Sequence, residues 1–350
     1  MKKAIAAVSA AAIGAIGGVL AVRTLRFKPK AQSAPAPDAV HVDGQKAIDD
    51  LAEMLRCKTV SNPDNSLEDA AEFDRFRALL RERFPAVHEK CSLEHVGRCG
   101  LLYHWKGEND GAPTVLMAHY DVVPADEATW TKPPFGGVIG DGILYGRGAL
   151  DTKITLCACL EAAEQLIKSG FTPKNDIYFA FSGEEEIAGP SASDIVDVLS
   201  SRGVCPALVL DEGGAVVQGV FPGVKQPCAL IGTSEKGQMQ LYLEMASRGG
   251  HASSPPAHTI AGELAKAVTR IESHPFPYTL TPPAAEMLDT LGRHSIWPVR
   301  LIMANLWLFS PLLGLATRLM GGELNALVRT TCAVTQMSGS PANNVMPPEA

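Results

Sequence analysis

The sequence has few cysteines and no excess of basic residues. Eight cysteines in 350 residues are too few for a disulfide scaffold, and none of them form a CxxC pair. Lysine and arginine number 31 against 38 acidic residues, and a net charge of −7 argues against nucleic-acid binding. Glycine and proline make up about a sixth of the chain, which excludes disorder throughout. The length leaves room for two or three domains.

Charge is missing most completely from residues 4–22. These 19 residues hold no charged side chain, and lysines and arginines flank them on both sides. Because a bilayer core is spanned by ~20 apolar residues, we expect a signal peptide or a membrane anchor, and a membrane-anchored or secreted protein. An ordinary N-terminal helix is the alternative. Residues 31–39 contain two prolines and predict an extended linker, which ends an N-terminal segment of residues 1–39.

From about residue 40 the pattern is typical of an α/β domain. Short apolar runs at 115–118, 177–181 and 207–210 alternate with segments of helical spacing. Strands that alternate with helices predict a mostly parallel sheet covered on both faces. We assign residues 40–232 to this α/β domain.

A different pattern, typical of an α+β domain, follows over residues 233–350. Residues 238–246 and 326–335 alternate apolar and polar side chains, which predicts half-exposed antiparallel strands. Residues 259–273 predict an amphipathic helix. An apolar insertion spans about residues 275–325, and its alternatives are a second membrane span, a buried helical hairpin or an apolar surface for substrate or lipid.

Acidic residues and one histidine follow the three predicted strands. His119 and Asp121 follow the first, residues 184–186 are all glutamate after the second, and Asp211 and Glu212 follow the third. Ligands of open α/β sheets bind outside the carboxyl ends of the strands, so these side chains are expected in one crevice. Clustered carboxylates repel one another unless a cation neutralises them, and mixed histidine and carboxylate ligation suits Zn²⁺.

Taken alone, each of these residues has an ordinary structural explanation. Asp151 at the start of a predicted helix is typical of an N-cap. Three successive glutamates are typical of a solvated turn, and an acidic pair before two glycines is typical of turn chemistry. It is the joint occurrence at consecutive strand ends that favours a metal site.

Six motifs also occur in a characteristic order: HYDVVP at 119–124, YGRGALDTK at 145–153, SGEEEIAG at 182–189, LDEGG at 210–214, GGHAS at 249–253 and NNVMP at 343–347. Together they resemble the dizinc aminoacylase/carboxypeptidase family of metallopeptidases, and in particular its carboxypeptidase S and N-fatty-acyl-amino-acid synthase/hydrolase branch. The resemblance covers about residues 45–350. It implies a zinc-peptidase-like α/β catalytic domain and an inserted ferredoxin-like α+β domain that serves as a lid and in homodimer formation.

The resemblance implies a metal-binding role for four residues and a supporting catalytic role for a fifth, Asp121. His119 would bind one zinc ion, and Asp121 would hold its ring from behind. Asp151 would bridge two metal ions. Glu186 and Asp211 would each complete one side of a zinc site. The implied cofactor is two Zn²⁺ ions, with Co²⁺ or Mn²⁺ as alternatives.

The resemblance also implies the remaining catalytic roles. Glu185 would be the general base, while two ions ~3.5–4 Å apart would polarise the scissile carbonyl and activate a water. His251 would reach a neighbouring subunit's site and stabilise the tetrahedral oxyanion. Arg329 and Asn343 would contact the substrate carboxylate. The implied reaction is metal-dependent hydrolysis of amide bonds in small peptides, with lipid-like N-acyl amino acids as the alternative substrates.

One residue of the implied set has no counterpart. The family's last zinc ligand is a histidine near the C-terminus, and no histidine follows His294 in this sequence. We therefore expect the second zinc site to be one ligand short and the catalytic domain to be incomplete without a C-terminal return. An inactive fragment, or a relative that only binds, is the alternative function.

Overall fold

The computed structural model describes residues 2–30, 42–340 and 342–350, with residues 2–12 described by their backbone alone. The chain divides into two compact units. The sheet unit is Ala36–Gly213, and the second unit is built from Met1–Pro35 and Gly214–Ala350. The linker expected at 31–39 lies outside the described residues, and the domain boundaries expected from the sequence stay predictions.

Helices occur in both units. Within the described residues the α-helices are α1 (Lys2–Arg26), α2 (Gly44–Leu55), α3 (Ala70–Arg83), α4 (Pro85–Lys90), α5 (Lys153–Lys168), α6 (Ser191–Ser201), α7 (Ile260–Ser273), α8 (Pro282–Arg293), α9 (Trp297–Ala304), α10 (Leu306–Met320) and α11 (Gly322–Leu327).

Strands also occur in both units. They are β1 (Ser92–Val96), β2 (Gly100–Trp105), β3 (Asn109–His119), β4 (Val138–Gly140), β5 (Ile143–Tyr145), β6 (Asn175–Ser182), β7 (Leu208–Leu210), β8 (Ala215–Val217), β9 (Cys228–Leu230), β10 (Gly250–His251) and β11 (Val345–Met346).

The central sheet of the sheet unit has the order β1-β2-β6-β3-β7. Strand β3 pairs in parallel with β6 and β7, whereas β1–β2 and β2–β6 are antiparallel. The sheet is therefore mixed, and the expectation of a mostly parallel sheet is wrong for its β1–β2 side. The reason is the turn at residues 97–99, because so short a connection permits only antiparallel pairing, whereas parallel neighbours need a long crossover. Helices α5 and α6 lie in the connections from β3 to β6 and from β6 to β7.

The parallel strands bring their carboxyl ends to one edge of the sheet. His119, the last residue of β3, is in register with Ser182, the last residue of β6. Leu210 at the end of β7 is in register with Leu116 of β3. The polar residues that follow these strands therefore come together, as the sequence predicted.

An aromatic cluster fixes the chain just beyond β3. The ring of Tyr120 stacks on Phe76 of α3 with 5.0 Å between centroids and meets the edge of Phe73. The Tyr120 hydroxyl donates a 2.7 Å hydrogen bond to the carbonyl oxygen of Cys99. Tyr120 is fully buried, so the residues on either side of it, His119 and Asp121, are held in fixed positions.

The second unit contains mostly helices and two small ladders. Strands β8 and β9 form one antiparallel pair, and β10 and β11 form the other. The helix expected at 259–273 is confirmed as α7. The strands expected at 238–246 and 326–335 are wrong: α11 reaches Leu327, and 238–246 holds one isolated bridge, at Ala246.

The failed strands have a physical explanation. An alternating strand is stabilised when its apolar face packs against another layer. Met239 and Leu241 are 80% and 63% exposed, so no such layer covers that face within the described residues. The inserted lid domain therefore stays a prediction.

Helix α1 packs against α9 within the second unit, and the residues directly after α1 contact α8. Arg23 Nε donates to the carbonyl oxygen of Ala304 at 3.0 Å, and the guanidinium of Arg293 lies over the ring of Phe27. Among the described helices, none alone is long and apolar enough to cross a bilayer, and α9 with α10 meets that criterion only as a pair bent by 109°.

Candidate metal centre

His119 lies in the sheet unit with its ring facing three carboxylates. Its Nε2 is 2.9 Å from Asp151 Oδ1, 3.4 Å from Glu212 Oε2 and 3.7 Å from Glu185 Oε2. The donor atoms of His119, Asp151 and Glu212 all lie within 4.8 Å of one another. One cation can therefore contact all three side chains, and one imidazole with two carboxylates is a donor set that suits Zn²⁺.

The other ring nitrogen of His119 fixes the tautomer. Nδ1 lies 3.0 Å from the backbone carbonyl oxygen of Asp121, which can only accept a hydrogen bond. Nδ1 therefore carries a proton, and in the neutral ring Nε2 presents its lone pair to Asp151 and Glu212. A histidine that binds metal commonly donates its second N–H in this way, which orients the ring.

Asp121 is a fully buried carboxylate that accepts several hydrogen bonds. Ser61 Oγ donates at 2.7 Å, and the backbone N–H groups of Glu185 and Glu186 donate at 3.0 Å each. Its Oδ1 also lies 3.3 Å from His119 Nδ1. Burial alone would raise the pKa of Asp121, but these hydrogen bonds to its charged form lower it below the ordinary value. Asp121 therefore stays ionised behind the ring.

The cluster requires a positive charge. Burial lowers the pKa of His119, but the hydrogen bonds to Asp121 and Glu212 outweigh it and raise that pKa to about 11. The same contact with His119 lowers the pKa of Glu212. The raised pKa reflects carboxylates on both sides of the ring, Asp121 at Nδ1 and Glu212 at Nε2. A divalent cation would satisfy the same carboxylates, and its binding requires the neutral ring.

Glu185 follows β6 and stands beside the cluster with about half of its side chain exposed. Partial burial raises its pKa, and the nearby carboxylates of Glu212 and Asp151 raise it further, whereas His119 lowers it. The pKa of Glu186 is also raised, by partial burial and by Asp151. A glutamate whose pKa is raised is better matched to accepting a proton near neutral pH.

Lys153 anchors the segment that carries Asp151. Its side chain is fully buried, and Nζ donates to the carbonyl oxygens of Met54 at 3.0 Å and Cys57 at 2.7 Å. Met54 lies in the last turn of α2 and Cys57 lies two residues beyond its end, so Lys153 holds the chain where it leaves this helix. Gly148, with φ of +89°, lets the preceding chain pass close to Val122, because a Cβ there would come within 2.9 Å of its side chain.

Ionic contacts of Arg98 hold the turn that carries Glu185. Arg98, in the turn between β1 and β2, donates hydrogen bonds to the buried carboxylates of Glu68 and Glu184. Glu68 in turn accepts from the backbone N–H of Asn62, whose neighbour Ser61 binds Asp121. These hydrogen bonds, with the peptide links Ser61–Asn62 and Glu184–Glu185, close a ring that we call the loop ring. It runs from Asp121 through Ser61, Asn62, Glu68, Arg98 and Glu184 to Glu185 and back.

The histidine expected to act as an oxyanion donor lies in the second unit. His251 is exposed in β10, and its Nδ1 accepts a 3.2 Å hydrogen bond from the backbone N–H of Ser253. In the neutral ring Nε2 therefore carries the proton and is free to donate. Pairing with β11 places His251 opposite Val345, two residues after Asn343, so the structure brings these predicted residues close together.

Arg329 lies elsewhere in the second unit. Its guanidinium is buried and donates to the carbonyl oxygens of Gly314 at 2.8 Å and Phe276 at 3.3 Å. Its role as a contact for the substrate carboxylate stays a prediction.

A family model described as peptidase family M20/M25/M40 matches residues 115–342. The chain belongs to this family. The match includes every residue of the His119, Asp151 and Glu212 cluster and extends over both units. It also agrees with the family resemblance that the motifs indicated.

Two curated relatives of this M20 chain match most of its length. The N-fatty-acyl-amino acid synthase/hydrolase PM20D1 of Xenopus tropicalis is 38% identical over 311 residues, which are 87% of this chain and 60% of the relative. The probable carboxypeptidase S-like 2 of Dictyostelium discoideum is 35% identical over 349 residues, which are 95% of this chain and 66% of the relative. These relatives confirm the expected branch of the family. This chain spans less than two thirds of the length of either relative.

A solved M20 structure has a similar fold. The M20 family metallo-carboxypeptidase from Sulfolobus solfataricus matches with a TM-score of 0.55 and 17% identity, over 87% of this chain and 69% of that chain. At this identity the likeness concerns the fold, and it confirms the α/β class.

Only some of the predicted metal ligands lie together in the structure. His119 and Asp151 lie together, as expected, but Glu186 and Asp211 are outside the group of described residues that could hold one metal ion. Glu212, which the resemblance did not include among the ligands, takes a place in that group. The sequence signal for it was its position directly after Asp211 at the end of β7.

Proposed function

We propose that this M20 chain binds two Zn²⁺ ions and hydrolyses amide bonds in small peptides that end in a free carboxylate. The observation that carries the proposal is the convergence of His119, Asp151 and Glu212 on one point, with Glu185 beside them. His119, Asp151 and a carboxylate of the Asp211–Glu212 pair would bind one ion. Asp151 and Glu186 would bind the second, which needs a further ligand.

Zinc, when bound, supplies a Lewis acid that polarises the scissile carbonyl and lowers the pKa of water towards ~7. Glu185 accepts the proton of the attacking water and delivers it to the leaving amine. Its raised pKa supports this role, because a base whose pKa lies nearer the working pH can both accept and return a proton. Asp121 keeps the His119 ring oriented throughout.

The second unit would supply the remaining groups. His251 would donate its Nε2–H to the oxyanion of the tetrahedral intermediate, from one protomer of a homodimer to its partner. The support is its tautomer, which leaves an exposed N–H on Nε2. Arg329 and Asn343 would bind the substrate carboxylate, since Arg329 lies within the residues that the family model matches and Asn343 begins the NNVMP motif.

A second candidate is the hydrolysis of N-acyl amino acids with long acyl chains. The name of the Xenopus tropicalis relative and the exposed apolar residues of the 275–325 insertion favour it. Comparison of kcat/KM for N-acetyl and N-palmitoyl forms of one amino acid separates the two. A strong preference for the long acyl chain supports this candidate, and equal rates remove its support.

The main test measures zinc and hydrolysis together. We expect the zinc-loaded chain to cleave dipeptides and to act poorly on their C-terminal amides. Glu185→Gln should retain zinc and lose activity by ~10²–10⁴-fold, because it removes the proton acceptor. Glu89→Gln, at an exposed residue of α4, is the matched control and should be fully active. A chain that binds no zinc, or a Glu185→Gln variant with full activity, contradicts the proposal.

A further inference from the structure

Helix α10 displays an apolar stripe to solvent. Leu308, Leu312, Leu315 and Leu319 are between 42% and 78% exposed. Their spacings of four, three and four residues put them on one face of the helix. Single exposed leucines are ordinary on a protein surface, but a continuous row of four is typical of an interaction site.

Other exposed apolar residues of the second unit extend this surface. Trp297 at the start of α9 and Trp307 at the start of α10 are each more than half exposed. Helix α1 adds exposed Ile13, Ile16 and Leu25. We call these residues and the α10 stripe together the apolar surface.

Helix α1 is fixed to the junction of α9 and α10. The buried side chain of Asn305, between the two helices, donates to Thr24 Oγ1 at 3.3 Å. Arg23 Nε donates to the carbonyl oxygen of Ala304. The two parts of the apolar surface therefore belong to one packed group of helices.

The same helices concentrate positive charge in an acidic chain. Residues 1–30 and 282–320 contain nine lysine and arginine residues and two acidic residues, whereas the whole chain has 31 and 38. One of the two acidic residues, Asp289, is paired with Arg293 at 2.7 Å. The basic residues are Lys2, Lys3, Arg23, Arg26, Lys28, Lys30, Arg293, Arg300 and Arg318.

The combination of exposed apolar side chains and nearby basic residues favours an anionic bilayer as the partner. A protein partner would need to match both leucine side chains and a scattered set of cations, whereas an anionic bilayer offers acyl chains and negative headgroups at once. Tryptophan is favoured at the boundary between the two. The bend of 109° between α9 and α10, with Pro311 inside α10, suits helices that lie in the plane of the interface.

We propose that the apolar surface of the second unit docks on a lipid bilayer that contains anionic lipid, with α10 lying in the interface. Helix α10 is then a membrane contact in its own right, besides the anchor or signal role expected for residues 4–22. Docking does not involve the metal centre, because no residue of the apolar surface belongs to it.

Co-sedimentation with unilamellar vesicles tests the proposal. The chain is mixed with vesicles of phosphatidylcholine alone and with vesicles containing about 30% phosphatidylglycerol, at low and high salt. We expect binding to the anionic vesicles that weakens with salt. Leu312→Gln with Leu315→Gln should lower the partition coefficient by roughly 10- to 100-fold.

The matched control removes two exposed leucines from the sheet unit. Leu67→Gln with Leu166→Gln should leave the partition coefficient unchanged. Circular dichroism and zinc content confirm that each variant is folded. Equal vesicle binding by the α10 variant and the parent would overturn the proposal. The proposal would also be overturned if the parent chain is a dimer and the α10 variant is a monomer. A second copy of the chain would then be the partner of the α10 stripe.

Discussion

The carboxylate of Asp121 accepts a hydrogen bond from the backbone N–H of Glu185 at 3.0 Å. The same carboxylate lies 3.3 Å from His119 Nδ1, on the side of the ring away from Asp151. One buried side chain therefore positions both the imidazole ring of the candidate metal site and the residue proposed as the general base. Two strand ends that are far apart in the sequence are joined at this point.

Substitution of Asp121 should weaken the metal site without removing a ligand. Asp121→Asn keeps the size of the side chain but removes its negative charge. That charge orients the His119 ring and strengthens the hydrogen bonds from two backbone N–H groups. We expect zinc affinity to fall by ~10–100-fold, measured by competition with a chromophoric chelator. Asp110→Asn, at an exposed aspartate of β3, is the control. Unchanged affinity in Asp121→Asn would contradict the positioning role.

The acidic pair at the end of β7 should contain one metal ligand. The structure predicts that Glu212→Gln lowers zinc affinity more than Asp211→Asn, because a Glu212 oxygen lies 3.4 Å from His119 Nε2. The family resemblance predicts the opposite order. Zinc titration of the two variants side by side decides between them, and a larger effect of Asp211→Asn would show that the resemblance is right.

Arg98 should influence turnover although it lies outside the metal centre. Arg98→Met leaves the buried carboxylates of Glu68 and Glu184 without their cation and frees the turn that carries Glu185. We expect kcat to fall by roughly 10- to 100-fold while KM and zinc content change little, since a small displacement of a reacting group is costly. Arg98→Lys should recover part of the loss. An equal loss of activity and zinc would indicate general disruption instead.

The buried thiols should resist alkylation in the folded chain. Burial raises the pKa of Cys91 to about 12 from an ordinary 9.0, so the folded state favours the protonated thiol. Its contribution to stability is therefore full below pH 9 and declines as the pH rises from 9 towards 12. At pH 8 we expect iodoacetamide to label exposed Cys205 and Cys332 first, as mass spectrometry can show. Labelling of Cys91 at the same rate would contradict its burial.

The sequence alone was sufficient to predict where the strands that carry the site end. The ends of β3 and β6 could be located because apolar runs stop at His119 and Ser182, and parallel pairing then aligns them. The choice between Asp211 and Glu212 could not be made in the same way. Both residues lie beyond Leu210, the last residue of β7, so the alternation of a strand does not say which of them faces His119.

Arg98 could not be predicted from the sequence at all. It lies in a turn 86 residues before Glu184, and no local pattern connects the two. The strand expected at 238–246 failed for a related reason. Alternation indicates which face of a strand is apolar, but a strand forms only where another layer covers that face.

The loop ring bears on how the protein gains and loses a metal ion. Its contacts join protein groups to protein groups, from Ser61 and Asp121 to Arg98 and Glu184, and none of them passes through an ion. We therefore expect the fold around the site to form without metal and to persist when metal is removed, unlike that of small zinc domains whose folding is driven by the ion. Chelation and reloading of the candidate site should be reversible at constant structure, and cobalt should then replace the proposed zinc in the folded chain.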